Sequence, residues 1–154
     1  MSDERFSDPI EARKKAMDYL ARREHGRAEL LIKLEKAGYD PEVCEQAIAR
    51  LIEDGLQSDS RFVAAFVQSR INQGKGPIRI RAELRDRQMG ASVIEEGLAS
   101  PEQDWYSLAG AVRRRKFGAE RPTEYKDKAK QMRFLQYRGF ESDHIQRAVS
   151  MDSD

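Results

Sequence analysis

The chain has 154 residues, of which 39% are hydrophobic and 36% are charged, and its formal net charge at pH 7 is +1. This length suits one domain or a short array of units. The low mean hydropathy of −0.79 indicates few apolar residues for a single deep core. No apolar run approaches the roughly 18 residues that a membrane-spanning helix requires, so no membrane span is predicted.

The first third of the chain predicts a short polar tail followed by three helices. Residues 1–9 are polar, and apolar residues recur at helical spacing over 10–20. Gly26 ends this pattern, and a second helix with leucines on its apolar face follows it. Asp40 and Pro41 are typical of an N-cap and a first helical residue, so the third helix is expected to begin there.

The middle of the chain, 60–98, repeats this plan. A stripe of phenylalanine, valine and isoleucine over 62–71 predicts one helix. A basic, glycine-rich turn follows over 72–77. Two further helices are then predicted over 78–87 and 93–98, which gives three short helices in a row.

The last third predicts three more helices. Residues 100–103, Ser-Pro-Glu-Gln, match a capping box with proline at the first helical position, so a helix is expected from there to Phe117. A polar link over 118–123 leads into a helix that includes Leu135. The final helix is expected over 143–149.

The three thirds share one register. Leu34, Leu84 and Leu135 each end a predicted helix, and these anchor leucines lie 50 and 51 residues apart. Four residues after the anchor stands a helix-breaking position, which is Gly38 in the first unit and Gly139 in the third. Glycine suits the left-handed conformation that often closes a helix, because it has no Cβ to clash.

The middle unit departs from this register at the same turn. Its breaker position holds Gln88, and the glycine of this unit, Gly90, comes two residues later. A residue with a side chain adopts the left-handed conformation only at a cost. We therefore expect a wider or strained turn between the second and third helices of the middle unit.

These patterns predict an all-α protein, since no segment shows the alternation of a β-strand. Three tandem three-helix repeats are expected to stack into an elongated, curved array of right- or left-handed twist, each burying its apolar face against its neighbours. The predicted boundaries are a flexible tail at 1–9, repeats at 10–57, 58–99 and 100–150, and an acidic tail at 151–154.

Charge is segregated along the chain. Residues 68–88 carry six bases and two acids, a net charge of +4, and 111–133 carry nine bases and three acids, a net charge of +6. Residues 35–60 reverse this balance to −5. Such zoning suits a partner that presents both protein and phosphate surfaces. The candidate partner-binding residues are Arg70, Lys75, Arg81, Arg85, Arg113, Arg114, Arg115 and Lys116.

Spacing ranks the candidates in the middle basic helix. Arg79, Glu83 and Arg87 recur at every fourth position, so Glu83 is placed to neutralise both arginines. Arg81 and Arg85 share another stripe that holds no acid, which makes them the better candidates for binding carboxylates or phosphates. The alternative is that all of these side chains are solvated surface charges.

The sequence offers no arrangement typical of an enzyme or of a metal site. Cys44 takes the register position of Ile94 and Ile145, which predicts a buried, unreactive thiol. His25 and His144 have no cysteine or histidine at ligand spacing. We expect no catalytic residue, metal or cofactor. A single cysteine, which cannot form an internal disulfide, favours a reducing, cytoplasmic setting.

Several motifs, taken in order and spacing, resemble the RecX family of bacterial regulatory proteins. They are Tyr-Leu-Ala-Arg-Arg at 19–23, Ala-Glu-Leu at 28–30, the stretch 62–70, Gly-Lys-Gly-Pro at 74–77, Ala-Glu-Leu at 82–84 and the stretch 135–140. The resemblance covers about 10–149, which is nearly the whole chain.

The resemblance implies that this protein is not an enzyme but a negative modulator of the recombinase RecA, with a role in homologous recombination, DNA repair and the SOS response. That family is understood to lie in the groove of the RecA filament and to restrain ATP hydrolysis, strand exchange and cleavage of the SOS repressor. The expected partners are the RecA filament and, through it, single-stranded DNA, and a monomer is expected. The alternative is a self-standing helical protein that binds DNA mainly through phosphates, with steep salt dependence.

Overall fold

The computed structural model describes residues 4–150, and the described chain is helical with no strand. A short 3-10 helix, Glu4–Ser7, precedes nine α-helices within this range. None of these helices is long and apolar enough to cross a membrane. The α-helices are α1 (Pro9–Arg22), α2 (Arg27–Lys36), α3 (Pro41–Glu53), α4 (Asp59–Asn72), α5 (Pro77–Asp86), α6 (Ala91–Leu98), α7 (Trp105–Phe117), α8 (Tyr125–Arg138) and α9 (Ser142–Ser150).

Consecutive groups of three helices each bury a core of their own, which confirms the predicted all-α fold with three three-helix units. The first unit comprises α1–α3, the second α4–α6 and the third α7–α9. The anchor leucines Leu34, Leu84 and Leu135 are fully buried in the three cores. Burial follows the predicted register because each leucine lies in the last turn of its helix, on the face that meets the next helix.

Cys44 occupies the same place in the first core that Ile94 and Ile145 occupy in the other two. It is fully buried, and its thiol lies 3.6 Å from the carbonyl oxygen of Tyr39. Burial raises the pKa of this thiol to about 11, with nearby carboxylates adding to the effect. A thiol that stays protonated is a poor nucleophile, so the predicted inert packing role agrees with the structure.

The start of α7 differs from the sequence prediction. The proposed capping box at 100–103 is wrong, because α7 begins at Trp105. Asp104 is the N-cap and accepts hydrogen bonds from the backbone N–H (3.1 Å) and hydroxyl (2.7 Å) of Ser107. The indole of Trp105 donates to the carbonyl of Leu98 at 3.3 Å, which ties this helix start to the end of α6.

The turn after α5 is strained rather than wide. Gln88 adopts a left-handed conformation, with a φ of +62°, where the other units place Gly38 (+111°) and Gly139 (+99°). The hydrogen bond across this turn is the same as in the other two units, since the N–H of Met89 donates to the carbonyl of Leu84 at 3.2 Å. Of the two expected outcomes, strain is therefore confirmed and a wider turn is wrong.

Replacing Gln88 by glycine is expected to stabilise the protein. A left-handed L-residue costs about 1–2 kcal/mol, whereas the extra freedom of glycine in the unfolded chain costs about 0.4–1 kcal/mol. We expect Gln88→Gly to raise the free energy of unfolding by about 0.5–1 kcal/mol in urea denaturation. The control Gly139→Ala should lower it, because an added Cβ would lie 2.5 Å from the Cβ of Arg79. An unchanged or lower stability of Gln88→Gly would contradict the strain.

The second and third units meet backbone to backbone. The N–H of Gly76, the N-cap of α5, donates to the carbonyl of Arg138 at 2.9 Å. The N–H of Ile78 donates to the carbonyl of Gly139 at the same distance. A Cβ on Gly76 would lie 2.5 Å from the carbonyl carbon of Gly139, so only glycine allows this approach. Two main-chain hydrogen bonds hold this joint, and the guanidinium of Arg138 adds a third bond to the carbonyl of Gln73 at 3.1 Å.

The first and second units meet at an equivalent place but through side chains. The N-cap glycine of α2 faces the side chain of Met89, in the turn that follows α5. Gln57 donates from its amide to the carbonyl of His25 (3.1 Å) and to a carboxylate oxygen of Asp59 (2.9 Å). The same oxygen of Asp59 accepts the N–H of Arg27 at 2.8 Å. Polar side chains thus hold the first joint.

The imidazole of His25 lies buried beside this joint. Its Nδ1 lies 3.0 Å from the carbonyl of Arg23, and its Nε2 lies 2.8 Å from the ammonium of Lys33. Both contacts are hydrogen bonds only if the ring is neutral, with its proton on Nδ1 and with Nε2 accepting from Lys33. Burial lowers the pKa of His25, although the hydrogen bond to Arg23 opposes the shift.

Acidification is expected to destabilise the fold through His25. Its pKa is lower in the folded than in the unfolded state, so its contribution is full above the unfolded pKa of about 6.5. The contribution is lost as the pH falls below that value toward the folded pKa, by at most about 1.4 kcal/mol per pH unit. Urea denaturation between about pH 7 and pH 5 should show a smaller loss in His25→Gln than in the unsubstituted protein. Equal losses would exclude His25 as the cause.

Candidate partner-binding surface

Two predicted contact residues of the second unit are bound to one carboxylate. Arg70 donates to Glu83 at 2.8 Å, Lys75 at 3.3 Å, and Arg79 lies 3.5 Å away. The side chains of Arg70 and Lys75 are only 18% and 16% exposed. Burial acts to raise the pKa of Glu83, but the bonds from Arg70 and Lys75 outweigh it and the pKa is lowered. Arg70 and Lys75 therefore serve the fold of the unit at this carboxylate.

Arg87 does not pair with Glu83, and that part of the spacing argument is wrong. The reason is that α5 ends at Asp86, so the four-residue periodicity stops before Arg87 is reached. The guanidinium of Arg87 lies instead over the ring of Phe66, 4.9 Å from its centroid. Arg70 stacks on the same ring at 4.0 Å, so this side of the second unit combines cationic and aromatic groups.

Arg81 and Arg85 differ more than their shared helical stripe suggested. Their stripe of α5 holds no acid, as the sequence showed, but Arg81 donates through two nitrogens to Glu95 of α6, at 2.8 Å and 3.0 Å. The acid comes from a neighbouring helix, which spacing within α5 does not reveal. Arg85 is exposed and makes no ion pair within residues 4–150. Arg85 is thus the middle candidate whose guanidinium is available to a partner.

Arg113 lies inside the third unit, with only 1% of its surface exposed. Its guanidinium donates to the carbonyls of Ala119 (3.3 Å) and Glu120 (3.2 Å), and it contacts the side-chain oxygen of Gln131 at 3.4 Å. Burial lowers its pKa, and the charges of nearby arginines add to the effect. Arg113 therefore anchors the segment between α7 and α8, away from any surface that a partner could reach.

Neighbouring arginines of α7 should respond differently to truncation. We expect Arg113→Ala to lower the free energy of unfolding by about 1–3 kcal/mol, because the carbonyls at 119 and 120 lose their donor and the buried space of the arginine is left unfilled. Arg114→Ala removes an exposed side chain and should change it by less than about 0.5 kcal/mol. Urea denaturation of both variants tests this, and a loss of similar size in the two would contradict the assigned burial.

The remaining candidates, Arg114, Arg115 and Lys116, are exposed in the last turn of α7. Arg114 lines a cleft of about 260 Å³ together with Arg121 and Arg147. Sequence reasoning did not single out the latter two. Arg121 lies in the link before α8, and Arg147 stands alone on α9, so neither belongs to a run of bases. Only the tertiary fold brings the three together.

The fold and its charges define a tandem three-helix-repeat protein whose basic side chains reach the surface on the second and third units. Models of the first, second and third three-helix domains of RecX match residues 12–51, 58–98 and 102–149 respectively. The chain belongs to the RecX family. This confirms the resemblance that the sequence motifs indicated.

Relatives named "Regulatory protein RecX" match along nearly their whole length. The one from Pseudomonas entomophila is 44% identical over 142 residues, 92% of each chain. The one from Halorhodospira halophila is 44% identical over 135 residues, 88% of this chain and 84% of that one. A crystal structure of RecX from Lactobacillus salivarius, 19% identical, matches with a TM-score of 0.79 over 92% of this chain and 94% of that chain. At that identity the structural match shows the shared fold alone.

Proposed function

We propose that this protein is a negative modulator of the recombinase RecA. In this proposal it binds the RecA filament on single-stranded DNA and inhibits ATP hydrolysis, strand exchange and the SOS coprotease activity. The observation that carries the proposal is family membership across all three units, among relatives named as regulatory proteins. It acts by binding, without a catalytic residue or cofactor, as a cytoplasmic monomer.

The distribution of exposed charge supports a partner with both protein and phosphate surfaces. The second unit offers the exposed Arg85, and the third offers Arg114, Arg115 and Lys116, while the acidic stretch 35–60 lies mainly in the first unit. Complementary zones of this kind favour correct orientation and fast encounter with a charged partner. A basic surface on two units and an acidic one on the other would orient the chain along the filament.

The joint between the second and third units supports a mechanism of inhibition. The main-chain bonds of Gly76 and Ile78 join the two backbones directly, and the guanidinium of Arg138 adds a bond to the carbonyl of Gln73. A body held in this way keeps its basic surfaces at a fixed separation. If they contact successive RecA subunits, the protein opposes the relative motion of those subunits, and nucleotide turnover slows.

Arg81 can join this surface by exchanging its partner. Its ion pair with Glu95 is partly exposed, and the Glu95 side chain is 53% exposed. Pairs of this kind contribute about 0–1 kcal/mol, so a carboxylate or phosphate of the partner competes with Glu95 at little cost. Arg81 can therefore bind the partner once it leaves Glu95, whereas Arg85 can bind the partner without breaking an ion pair of the described chain.

The experiment that tests the proposal is RecA-catalysed ATP hydrolysis on single-stranded DNA, titrated with this protein at fixed salt. Binding of the protein to the same DNA without RecA is measured beside it. Inhibition at protein concentrations too low to coat the bare DNA supports a modulator that acts on the filament. No inhibition at any concentration would refute the proposal.

Charge reversal on α5 should weaken inhibition. We expect Arg85→Glu to raise the half-inhibitory concentration at least about tenfold, because a desolvated charge contact is replaced by a repulsive one. The control Arg50→Glu makes the same change on α3, where Arg50 pairs with Asp54, and should shift it less than about twofold. Inhibition by Arg85→Glu equal to that of the control would exclude Arg85 from the contact.

A charge swap separates the two roles of Arg81. Arg81→Glu combined with Glu95→Arg keeps an ion pair between α5 and α6 but moves the positive charge. If Arg81 contacts the partner, the swap should remain deficient in inhibition while its urea midpoint stays close to that of the unsubstituted protein. Full inhibition by the swapped protein would mean that Arg81 acts only through Glu95.

The second candidate function is that of a self-standing DNA-binding protein. The three arginines at the cleft of the third unit favour it, because none of them makes an ion pair within the described residues. In that case ATP hydrolysis would fall only once the DNA is saturated, and the effect would decline steeply with salt. The paired titrations above distinguish this competition from action on the filament.

A further inference from the structure

The cleft of the third unit lies between α7 and α9 and has a volume of about 260 Å³. Three guanidinium groups line it, from three separate segments: Arg114 on α7, Arg121 in the link before α8, and Arg147 on α9. Small residues, Gly110 and Ala148, line it as well and leave room between the two helices. The cleft is open to solvent, so a polymer can enter and leave it.

The charge of this cleft is not balanced within the described part of the chain. Arg114, Arg121 and Arg147 make no ion pair there, and Asp104 is the one acid that lines the cleft. Both oxygens of Asp104 already accept hydrogen bonds from Ser107, as the cap of α7. Three positive charges against one negative charge leave a net charge of +2 for a ligand to neutralise.

The fold fixes the backbone at Arg121 and the guanidinium of Arg147. The buried Arg113 binds the carbonyls of residues 119 and 120, which places the next residue, Arg121, at the cleft. The guanidinium of Arg147 lies over the ring of Tyr106, 5.1 Å from its centroid, and the hydroxyl of Tyr106 is bonded to Asp143. A guanidinium held in this way loses less conformational entropy when a ligand binds, which favours a specific anion site at Arg147 over diffuse attraction.

We propose that this cleft binds a backbone phosphate of a nucleic acid strand. A carboxylate offers two oxygens in one plane and is satisfied by one guanidinium fork, whereas a phosphate accepts donors from several directions. The presence of three guanidinium groups in one cleft that is open to solvent favours the phosphate. The inference deepens the proposed function, on which it rests, by making the third unit the part that contacts DNA.

The test uses the full chain without RecA and a short fluorescent oligothymidine, followed by fluorescence anisotropy over a range of salt. The first variant carries Arg114→Ala, Arg121→Ala and Arg147→Ala. The matched control carries Lys126→Ala, Lys130→Ala and Arg133→Ala. The control removes three exposed charges from one side of α8 in the same unit, where those residues form no ion pair within 4–150.

We expect the cleft variant to bind DNA about tenfold more weakly at about 50 mM salt, and its salt slope to be smaller by about 0.7, the value for one phosphate of a single strand. The α8 control should lose clearly less and keep the slope. Arg147→Ala alone should weaken binding at least about threefold. This single variant, with its helicity checked by circular dichroism, tests the site even if the triple variant misfolds. Inorganic phosphate, compared with chloride at equal ionic strength, should compete only when the cleft is intact.

Three results would overturn the phosphate site. One is equal weakening by the cleft and α8 variants, which would mean general electrostatic attraction. Another is unchanged DNA affinity of the cleft variant together with lost inhibition of RecA, which would assign the cleft to an acidic protein surface. The last is undetectable binding of the unsubstituted protein at about 50 mM salt. The proposed function is tested separately, by ATP hydrolysis of RecA. If that test fails, the DNA-binding measurements still decide whether the cleft binds phosphate.

Discussion

The close approach of two backbones at Gly76 and Gly139 is the contact on which the arrangement of the basic surfaces depends. It joins the N-terminus of α5 to the end of α8 through two main-chain hydrogen bonds, and a Cβ at either position would collide with the facing chain. Because α5 carries Arg81 and Arg85, any change at this joint moves them relative to the third unit. Two glycines therefore matter for binding although neither offers a side chain to a partner.

The structure sorts the cations into those that hold the fold and those that a partner can reach. Arg70 and Lys75 converge on Glu83, and Arg113 donates to backbone carbonyls. Arg85 and Arg114 are exposed and unpaired within the described range. Burial and pairing, rather than residue type, make the distinction, because a buried cation whose donors are used cannot be withdrawn at low cost. A binding surface predicted from runs of arginine in the sequence therefore includes side chains that hold the fold as well as side chains that a partner can reach.

The sequence predicted the fold well because its signals are local. The leucine anchors, the glycine breakers and the Asp-Pro start of α3 each reflect the conformation of a few neighbouring residues, and the structure agrees with all of them. Even the strain at Gln88 could be predicted, since the register showed which residue had to take a left-handed conformation. The start of α7 was missed although the cap of Asp104 on Ser107 is a local contact, because the sequence pattern does not contain the bond from the Trp105 indole to Leu98 that ties this start to the end of α6.

The candidate surface was less predictable, because ion pairs join residues that are distant in sequence. Glu95 comes to Arg81 from another helix, and Arg147 reaches the cleft from α9. Within the run 113–116, sequence gave no reason to separate the first arginine from the rest, yet it alone turns inward. Residue spacing along one helix predicts ion pairs within that helix but does not predict ion pairs with the helix that faces it.

The inward turn of Arg113 links the fold of the third unit to its chemistry. By donating to the carbonyls at 119 and 120, this arginine replaces the hydrogen bonds that the link between α7 and α8 would otherwise make with water. The segment that it fixes carries Arg121 to the cleft, where Arg114 already lies. Burial lowers the pKa of Arg113 and the charges of Arg121 and Arg114 add to the effect, so backbone acceptors hold the cluster together against its own repulsion. An anion that enters the cleft relieves that repulsion, and for this reason a phosphate should both bind there and stabilise the third unit.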